Sequence, residues 1–195
     1  MFIDLNNKNV LIVGGGNVAY RKAMTFLDFH ANVMVVSTEV MDAMYELDVE
    51  VIQDEYKDIY LQGKDLVVAS TDDTKLNHRI AQDCRNRNIL VNAVDQVEDC
   101  DFIFPSIVKE KDIVAAFSSS GYSPVLTQYL KEKNKEIITE TLGCINEYMG
   151  SIRLKIQNRV PFSKRKELYR TILNLCIDKN RPLSEKELEE VIKNG

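Results

Sequence analysis

The chain has 195 residues, 45% of them hydrophobic and 28% charged, with a formal net charge of −5. That is ordinary globular composition, enough for one good core with an appendage or for two small domains. The acid excess argues against a nucleic-acid binder, and no apolar run reaches the about 18 residues that a membrane span needs.

The N-terminal MFIDLNNKN lacks the basic start and long apolar core of a secretion signal. Residues 9–13 (NVLIV) read as a strand, followed by three consecutive glycines and a helix start for which Asn17 is the expected N-cap. Gly14-x-Gly16-x-x-Ala19 is a dinucleotide-binding pattern. Its first glycine makes the tight turn, its second lets backbone approach a pyrophosphate, and its small third residue lets helix pack on strand. The helix N-terminus then offers free N–H groups and a positive dipole end to phosphates. Gly14, Gly16, Asn17 and Val18 are therefore expected to hold the cofactor.

Ala23, Phe26 and Leu27 recur at helical spacing, and His30 stands where that helix should end, which suits a capping or surface role. Residues 33–37 make a second strand, closing on Ser37-Thr38-Glu39. Thr38 and Glu39 are the expected ribose-side contacts. With an acidic residue there and no arginine nearby in sequence, the reading favours NAD over NADP. A weak helix is expected over 40–47 and a short third strand over 49–52. A continuously apolar fourth strand covers 65–70, as in buried parallel sheets. Its end, Ser70-Thr71-Asp72, lies at the edge where such sheets bind ligands and is placed on the nicotinamide side. A helix with Leu76, Ile80 and Cys84 precedes a fifth strand at 89–95. Strand and helix thus alternate as in a doubly wound parallel sheet.

The rhythm then changes. Residues 102–108 and 113–118 read as an antiparallel hairpin around the charged turn KEKD. Ser123-Pro124 is a strong helix start. Helix is expected from there onward: a long one from 125 to about 149 or 159, another over 163–178, and a last one opened by the capping box Ser184-x-x-Glu187. The four cysteines are scattered with no C-x-x-C pair, and there are only two histidines. Reduced thiols, a cytoplasmic location and no resident metal are the reading.

Four stretches together carry a resemblance: LIVGGGNVAYRKA at 11–23, STDDTKLN at 70–77, VNAVDQVEDCDFIFPSIV at 91–108 and SSSGYSPVLTQYLKEK at 118–133. They resemble, in order and approximate spacing, the precorrin-2 dehydrogenase/sirohydrochlorin ferrochelatase family, which also forms the N-terminal module of sirohaem synthases. The last 60 or so residues match only as a basic helical tail, and the methyltransferase domain of the fused enzymes has no counterpart. The resemblance implies an α/β fold with three parts: a Rossmann-type NAD-binding domain over 1–104, a β-hairpin/helix dimerisation region over 105–138, and an α-helical C-terminal domain over 139–195. It implies NAD-dependent oxidation of precorrin-2 to sirohydrochlorin and, in many members, insertion of ferrous ion as substrate to give sirohaem. It also implies a homodimer, which would pair an otherwise bare hairpin edge.

Asp95, closing the fifth strand at the sheet's carboxyl edge, matches the family's acid–base candidate; an unpaired carboxylate there would be costly without a task. Ser118, Ser119, Ser120 and Gly121 precede a helix N-terminus suited to the carboxylates of a tetrapyrrole. Ser120 stands where the family often has glycine and Tyr122 where it has a small residue, so substrate fit and the chelatase half could differ. Tyr129-x-x-x-Lys133 has the spacing of the short-chain dehydrogenase pair, but it lies in a basic helix past the hairpin, as surface residues would. Two alternatives stay open: a monofunctional dehydrogenase without chelatase activity, and a non-catalytic NAD-sensing domain.

Overall fold

The computed structural model describes residues 3–194 and divides the chain into two compact units, the first ending at Ile103 and the second starting at Phe104. The first is an α/β unit. Its strands β1 (Asn9–Val13), β2 (Asn32–Val36), β3 (Glu50–Ile52), β4 (Leu66–Ala69) and β5 (Leu90–Ala93) form one parallel sheet in the order β3-β2-β1-β4-β5. The register aligns Val13 with Val36 and Ala69, and Ala69 with Ala93. The loops after β1, β2, β4 and β5 therefore leave the sheet along one edge. The strand order reverses between β1 and β4, the switch point where open α/β sheets bind ligands.

Alternation along the strands sorts the core. Leu11, Val13, Val67, Ala69, Val91 and Ala93 pack with Ile80, Ala81 and Cys84 of helix α2 (Thr74–Arg85). Val10, Ile12, Val35 and Val68 are also fully buried, and alternation turns them to the other face. Helix α1 (Asn17–Asp28) packs on β1 and β2 through Ala19, Ala23 and Phe26. Its N-cap is Gly16, with no side-chain cap, so Asn17 is the first helical residue and not the cap expected from sequence. His30 takes a left-handed backbone (φ 60°), with its N–H on Leu27 O and the Ala31 N–H on Phe26 O. That arrangement terminates the helix and assigns His30 its role. Asn88 and Asn180 end α2 and a later helix in the same way.

The helix expected over 40–47 is only a 3-10 turn, Asp42–Glu46. It has no side-chain cap, and its entrance is tied elsewhere, with the Met41 N–H donating to Gly15 O at 3.0 Å. Past β5 the chain doubles back: the Asp101 N–H donates to Val91 O and the Val91 N–H to Asp101 Oδ2, covering the sheet edge.

The second unit opens with the expected hairpin, β6 (Ser106–Glu110) and β7 (Ile113–Phe117). Pairing starts only after Pro105, which has no N–H to donate. Five helices follow: α3 (Pro124–Lys135), α4 (Glu140–Ser151), α5 (Arg153–Arg159), α6 (Phe162–Asp178) and α7 (Glu185–Asn194). The single long helix expected from 125 is thus broken. Ile137, Ile138 and Thr139 are β-branched in succession, and the Thr139 hydroxyl accepts from Leu142 N–H to start α4 afresh. Gly143 on α4 leaves room for the hairpin tip. A Cβ there would lie 3.1 Å from Lys111 Cδ, and Lys111 Nζ reaches Glu147 at 2.6 Å. Ile145, Ile156, Leu168, Ile172, Cys176 and Leu188 form this unit's core. Among the described residues no helix is long and apolar enough to cross a membrane.

The capping box forms as read: Ser184 N–H donates to Glu187 Oε2 at 2.7 Å and Glu187 N–H to Ser184 Oγ. The Arg181 guanidinium, then Lys179, then the Ser184 N–H hold the Glu187 carboxyl far below the usual range. Arg159 and then Lys155 hold Glu189 down at about 2. Because both folded values lie below the unfolded ones, this stabilisation is complete above about pH 4.5 and is lost as pH falls further. We expect the urea midpoint of the full chain to drop between pH 5 and 3, and Glu187→Gln to make that drop shallower. An unchanged slope in the variant would remove Glu187 from this account.

Candidate functional site

The loops at the carboxyl edge of the sheet surround a cleft of about 990 Å³, lined by residues 13–18, 36–41, 54–56 and 70–73 with Leu76 and Arg79 of α2. The three glycines of its floor differ in what fixes them. Gly14 is left-handed (φ +121°), and a Cβ on it would lie 2.5 Å from Ser70 O. A Cβ on Gly15 would lie 2.1 Å from Glu39 O and 2.8 Å from Val40 Cα. At Gly16 a Cβ would meet nothing within 4 Å, and the residue is exposed on the cleft. Gly14 and Gly15 thus serve the protein's own packing, whereas the bareness of Gly16 serves whatever enters the cleft. With no side chain capping α1, its first-turn N–H groups are available to an anion. This chain therefore fits a dinucleotide's pyrophosphate at Gly16, Asn17 and Val18.

Thr38 and Glu39 lie where expected, exposed on the cleft after β2. Ser37 Oγ donates to Glu39 O at 2.7 Å and Gln53 Nε2 to Thr38 O at 3.1 Å, which fixes their backbone and leaves the Glu39 carboxylate for a ligand. Distant in sequence, Arg79 nonetheless lines the same cleft, its guanidinium 5.7 Å above the Tyr56 ring and 3.8 Å from Asp83. The Tyr56 hydroxyl donates to Asp83 Oδ2 at 3.1 Å, and burial pushes that phenol well above its ordinary value.

On the far side, Ser70 Oγ donates to Val13 O. Thr71 is committed to structure: its Oγ1 donates to Asn77 Oδ1 at 2.7 Å, and Asn77 Nδ2 donates to Thr71 O at 2.9 Å. Asn77, 1% exposed, is a site-shaping residue that sequence reasoning missed; its only signal was an amide on the apolar face of a helix. Asp73 caps α2 by accepting from the Lys75 and Leu76 N–H groups, leaving Asp72 as the exposed carboxylate of this loop.

Asp95 follows β5 in a tight turn with φ +62°. It is exposed, so the desolvation argument for it fails. What sets it apart is a left-handed backbone at the ligand-binding edge and a carboxylate with no partner among the described residues. Beneath the turn, Cys100 Sγ lies 3.1 Å from Ala93 O and 3.3 Å from Gln96 O. Lys22 of α1, also missed, is half-buried close enough to Cys100 to feel it. Burial, then Arg21, pushes its ammonium down to about 8.

In the second unit Ser118, Ser119, Ser120 and Gly121 form the turn before α3. Ser119 Oγ accepts from Ser123 N–H at 2.9 Å, Ser118 Oγ accepts from Ser120 N–H at 3.1 Å, and Ser123 caps α3 as read. Ser120 (φ 53°) and Gly121 (φ 85°) are both left-handed. Left-handed backbone costs a non-glycine about 1 kcal/mol, partly offset in a swap by glycine's freer unfolded chain. Ser120→Gly is therefore expected to raise stability by about 0.5 kcal/mol, read as an increased urea midpoint. A decrease would mean that the Ser120 side chain stabilises the turn. Tyr129 and Lys133 are exposed on α3, and Lys133 pairs with Glu136. Among the described residues no cluster of His, Cys, Asp or Glu is placed to hold a metal ion.

Comparison with known proteins follows the same division. The chain is 37% identical over 164 residues to a siroheme synthase of Photorhabdus laumondii, a match covering 82% of this chain and 35% of that protein. It is 34% identical over 199 residues to the siroheme synthase of Actinobacillus succinogenes, covering 97% of this chain and 42% of that one. The chain thus spans well under half the length of these relatives. A solved structure, "SirC, precorrin-2 dehydrogenase", superposes with a TM-score of 0.79 at 26% identity, covering 100% of this chain and 96% of the other. The family model NAD_binding_7, described as "Putative NAD(P)-binding", matches residues 1–106, just over half of the chain and the whole of the glycine-floored cleft. By that match and by the bare Gly16 backbone at the head of α1, the chain belongs to this NAD(P)-binding family and uses NAD as its cofactor.

Proposed function

We propose that this chain oxidises precorrin-2 to sirohydrochlorin with NAD, in the route to sirohaem. The observation that carries the reading is the end-to-end likeness to a precorrin-2 dehydrogenase, with both units included. NAD, when bound, supplies the hydride acceptor. The oxidation removes one hydride and one proton from the tetrapyrrole. The Asp95 carboxylate takes the proton and passes it to solvent, which its exposure permits. Gly16, Asn17 and Val18 hold the pyrophosphate, Thr38 and Glu39 the adenosine ribose, and the loop of Ser70, Thr71 and Asp72 borders the nicotinamide half. Glu39 favours NAD over its 2′-phosphorylated form, since its carboxylate accepts from ribose hydroxyls and repels a phosphate. The turn of Ser118, Ser119, Ser120 and Gly121 binds substrate carboxylates through hydroxyls and the N–H groups at the head of α3.

Ferrous ion insertion, with the metal as substrate, is the second activity proposed, in keeping with relatives named for making siroheme. The second unit divides in use, with residues 105–138 as a dimerisation region and 139–195 as a helical tail. An exposed apolar face at the head of α3 supports the homodimer: Tyr122 is 92%, Val125 80% and Tyr129 57% exposed. Four free thiols suit the cytoplasm.

The test incubates purified protein anaerobically with precorrin-2 and NAD, following NADH absorbance, then adds ferrous or cobaltous ion. Without NADH the dehydrogenase reading is lost. NADH with no metal insertion above background leaves a monofunctional enzyme. Light scattering at rising concentration tests the dimer, and a monomer throughout would remove it.

A further inference from the structure

The turn that presents Asp95 is gripped by α2 at three points. Gln96 Nε2 donates to Thr74 O at 3.0 Å, and Arg85 Nη2 donates to Glu98 O at 2.7 Å. The third grip is a carboxylate, Asp99, four residues beyond Asp95 and 2% exposed. Both its oxygens are taken: His78 Nδ1 lies 2.6 Å from Oδ2, and Arg85 Nη1 lies 3.1 Å from Oδ1. His78 and Arg85 are two helical turns apart on one face of α2. Gln82 Nε2 lies 2.9 Å from His78 Nε2, so the ring is held from both sides with Nδ1 facing Asp99. These partners hold the Asp99 carboxyl below its ordinary value, His78 contributing most.

A buried, charge-paired carboxylate adds little net stability, since apolar residues of similar size commonly do as well. In some proteins such groups instead select one arrangement among several. Here the arrangement concerns Asp95, whose own carboxylate has no hydrogen-bond or ion-pair partner among the described residues and whose direction therefore depends on the turn's backbone. The same helix also holds part of the cleft. Asn77, adjacent to His78, binds Thr71 on the rim of the cofactor cleft.

We propose that Asp99 is a positioning residue. With His78 and Arg85 it locks the Asp95 turn to α2, so that α2 fixes the span between the cleft wall at Thr71 and the acid–base carboxylate. The inference rests on the role given above to Asp95. Without the lock, Asp95 samples several directions, and the rate falls while cofactor binding does not.

The test compares Asp99→Asn, Asp95→Asn and the double variant in the full chain, measuring kcat and KM for precorrin-2 oxidation, NADH affinity by fluorescence and thermal stability. A misplacement of about 1 Å costs up to about 100-fold, so Asp99→Asn is expected to lower kcat by about 10- to 100-fold with NADH affinity within about twofold. The double variant is expected to match Asp95→Asn, because a residue that acts only through Asp95 has nothing left to act on. Arg85→Gln, on a partly exposed side chain, serves if Asp99→Asn does not fold, with the same split and Arg85→Lys recovering part of the rate. A wild-type kcat in the folded variants, with Asp95→Asn slow, overturns the lock and leaves Asp95 standing. A full rate in Asp95→Asn overturns the Asp95 role, and the lock with it. Additive losses in the double variant also overturn the lock.

Discussion

Gly15→Ala is expected to fold poorly or not at all, while Gly16→Ala folds and loses cofactor. These neighbours share one motif yet answer to different constraints. The Cβ added at Gly15 would stand 2.1 Å from Glu39 O and 2.8 Å from Val40 Cα, both backbone atoms of the loop that follows β2. No rotamer change relieves a backbone clash, and Met41 N–H is bonded to Gly15 O, so the two loops are joined at this contact. Overpacking of this kind costs about 3 kcal/mol or more against a total stability of about 5–15. At Gly16 the Cβ meets no protein atom. Alanine there costs at most about 1 kcal/mol at the N-cap, but its methyl projects where a pyrophosphate would approach the backbone. NADH affinity should fall about tenfold or more, equivalent to about 1.4 kcal/mol. Denaturation midpoints and NADH titrations of both variants check the pair. A Gly15→Ala protein with wild-type stability would contradict the packing account, and unchanged NADH affinity in Gly16→Ala would contradict the cleft assignment.

Asp95→Asn is the second large effect. Positioned acid–base groups contribute about 10²–10⁴-fold, so NADH production from precorrin-2 should drop by that order. Asparagine is a cleaner choice than alanine. It tolerates the left-handed backbone at φ +62°, keeps a polar side chain at an exposed position, and removes only the proton acceptor. Its stability should stay within about 0.5 kcal/mol of wild type. A full rate at every pH would mean that the proton leaves directly to water.

Local patterns were legible in the sequence because their causes are local. Apolar runs at 10–13 and 66–69, the glycine loop, the hairpin, the Ser123-Pro124 start and the Ser184/Glu187 box each depend on neighbours a few residues away. What escaped depends on chain segments far apart. Gly15 looks like a free position of the motif until Glu39 and Val40 are placed against it. Arg79 looks remote from β2 until the sheet brings α2 to the cleft. Asp99 reads as one more acid among Glu98, Asp99 and Asp101, and only burial between His78 and Arg85 distinguishes it. The break at Thr139 was local, but an oxygen-bearing β-branched residue suits a helix interior and a helix start almost equally.

The way the strands end also bears on self-association. At one flank of the parallel sheet Asp101 has already taken the hydrogen bonds of Val91, and at the other β3 is only three residues long. Neither flank offers an incoming strand much of a template. The hairpin differs: β6 and β7 pair only with each other among the described residues, and each leaves a five-residue outer edge. Its tip is occupied by Gly143 and Glu147 of α4. If the proposed dimer forms along these edges, ordered assembly and amyloid-type misassembly compete for the same few backbone groups, and charge added along β6 or β7 should suppress both together.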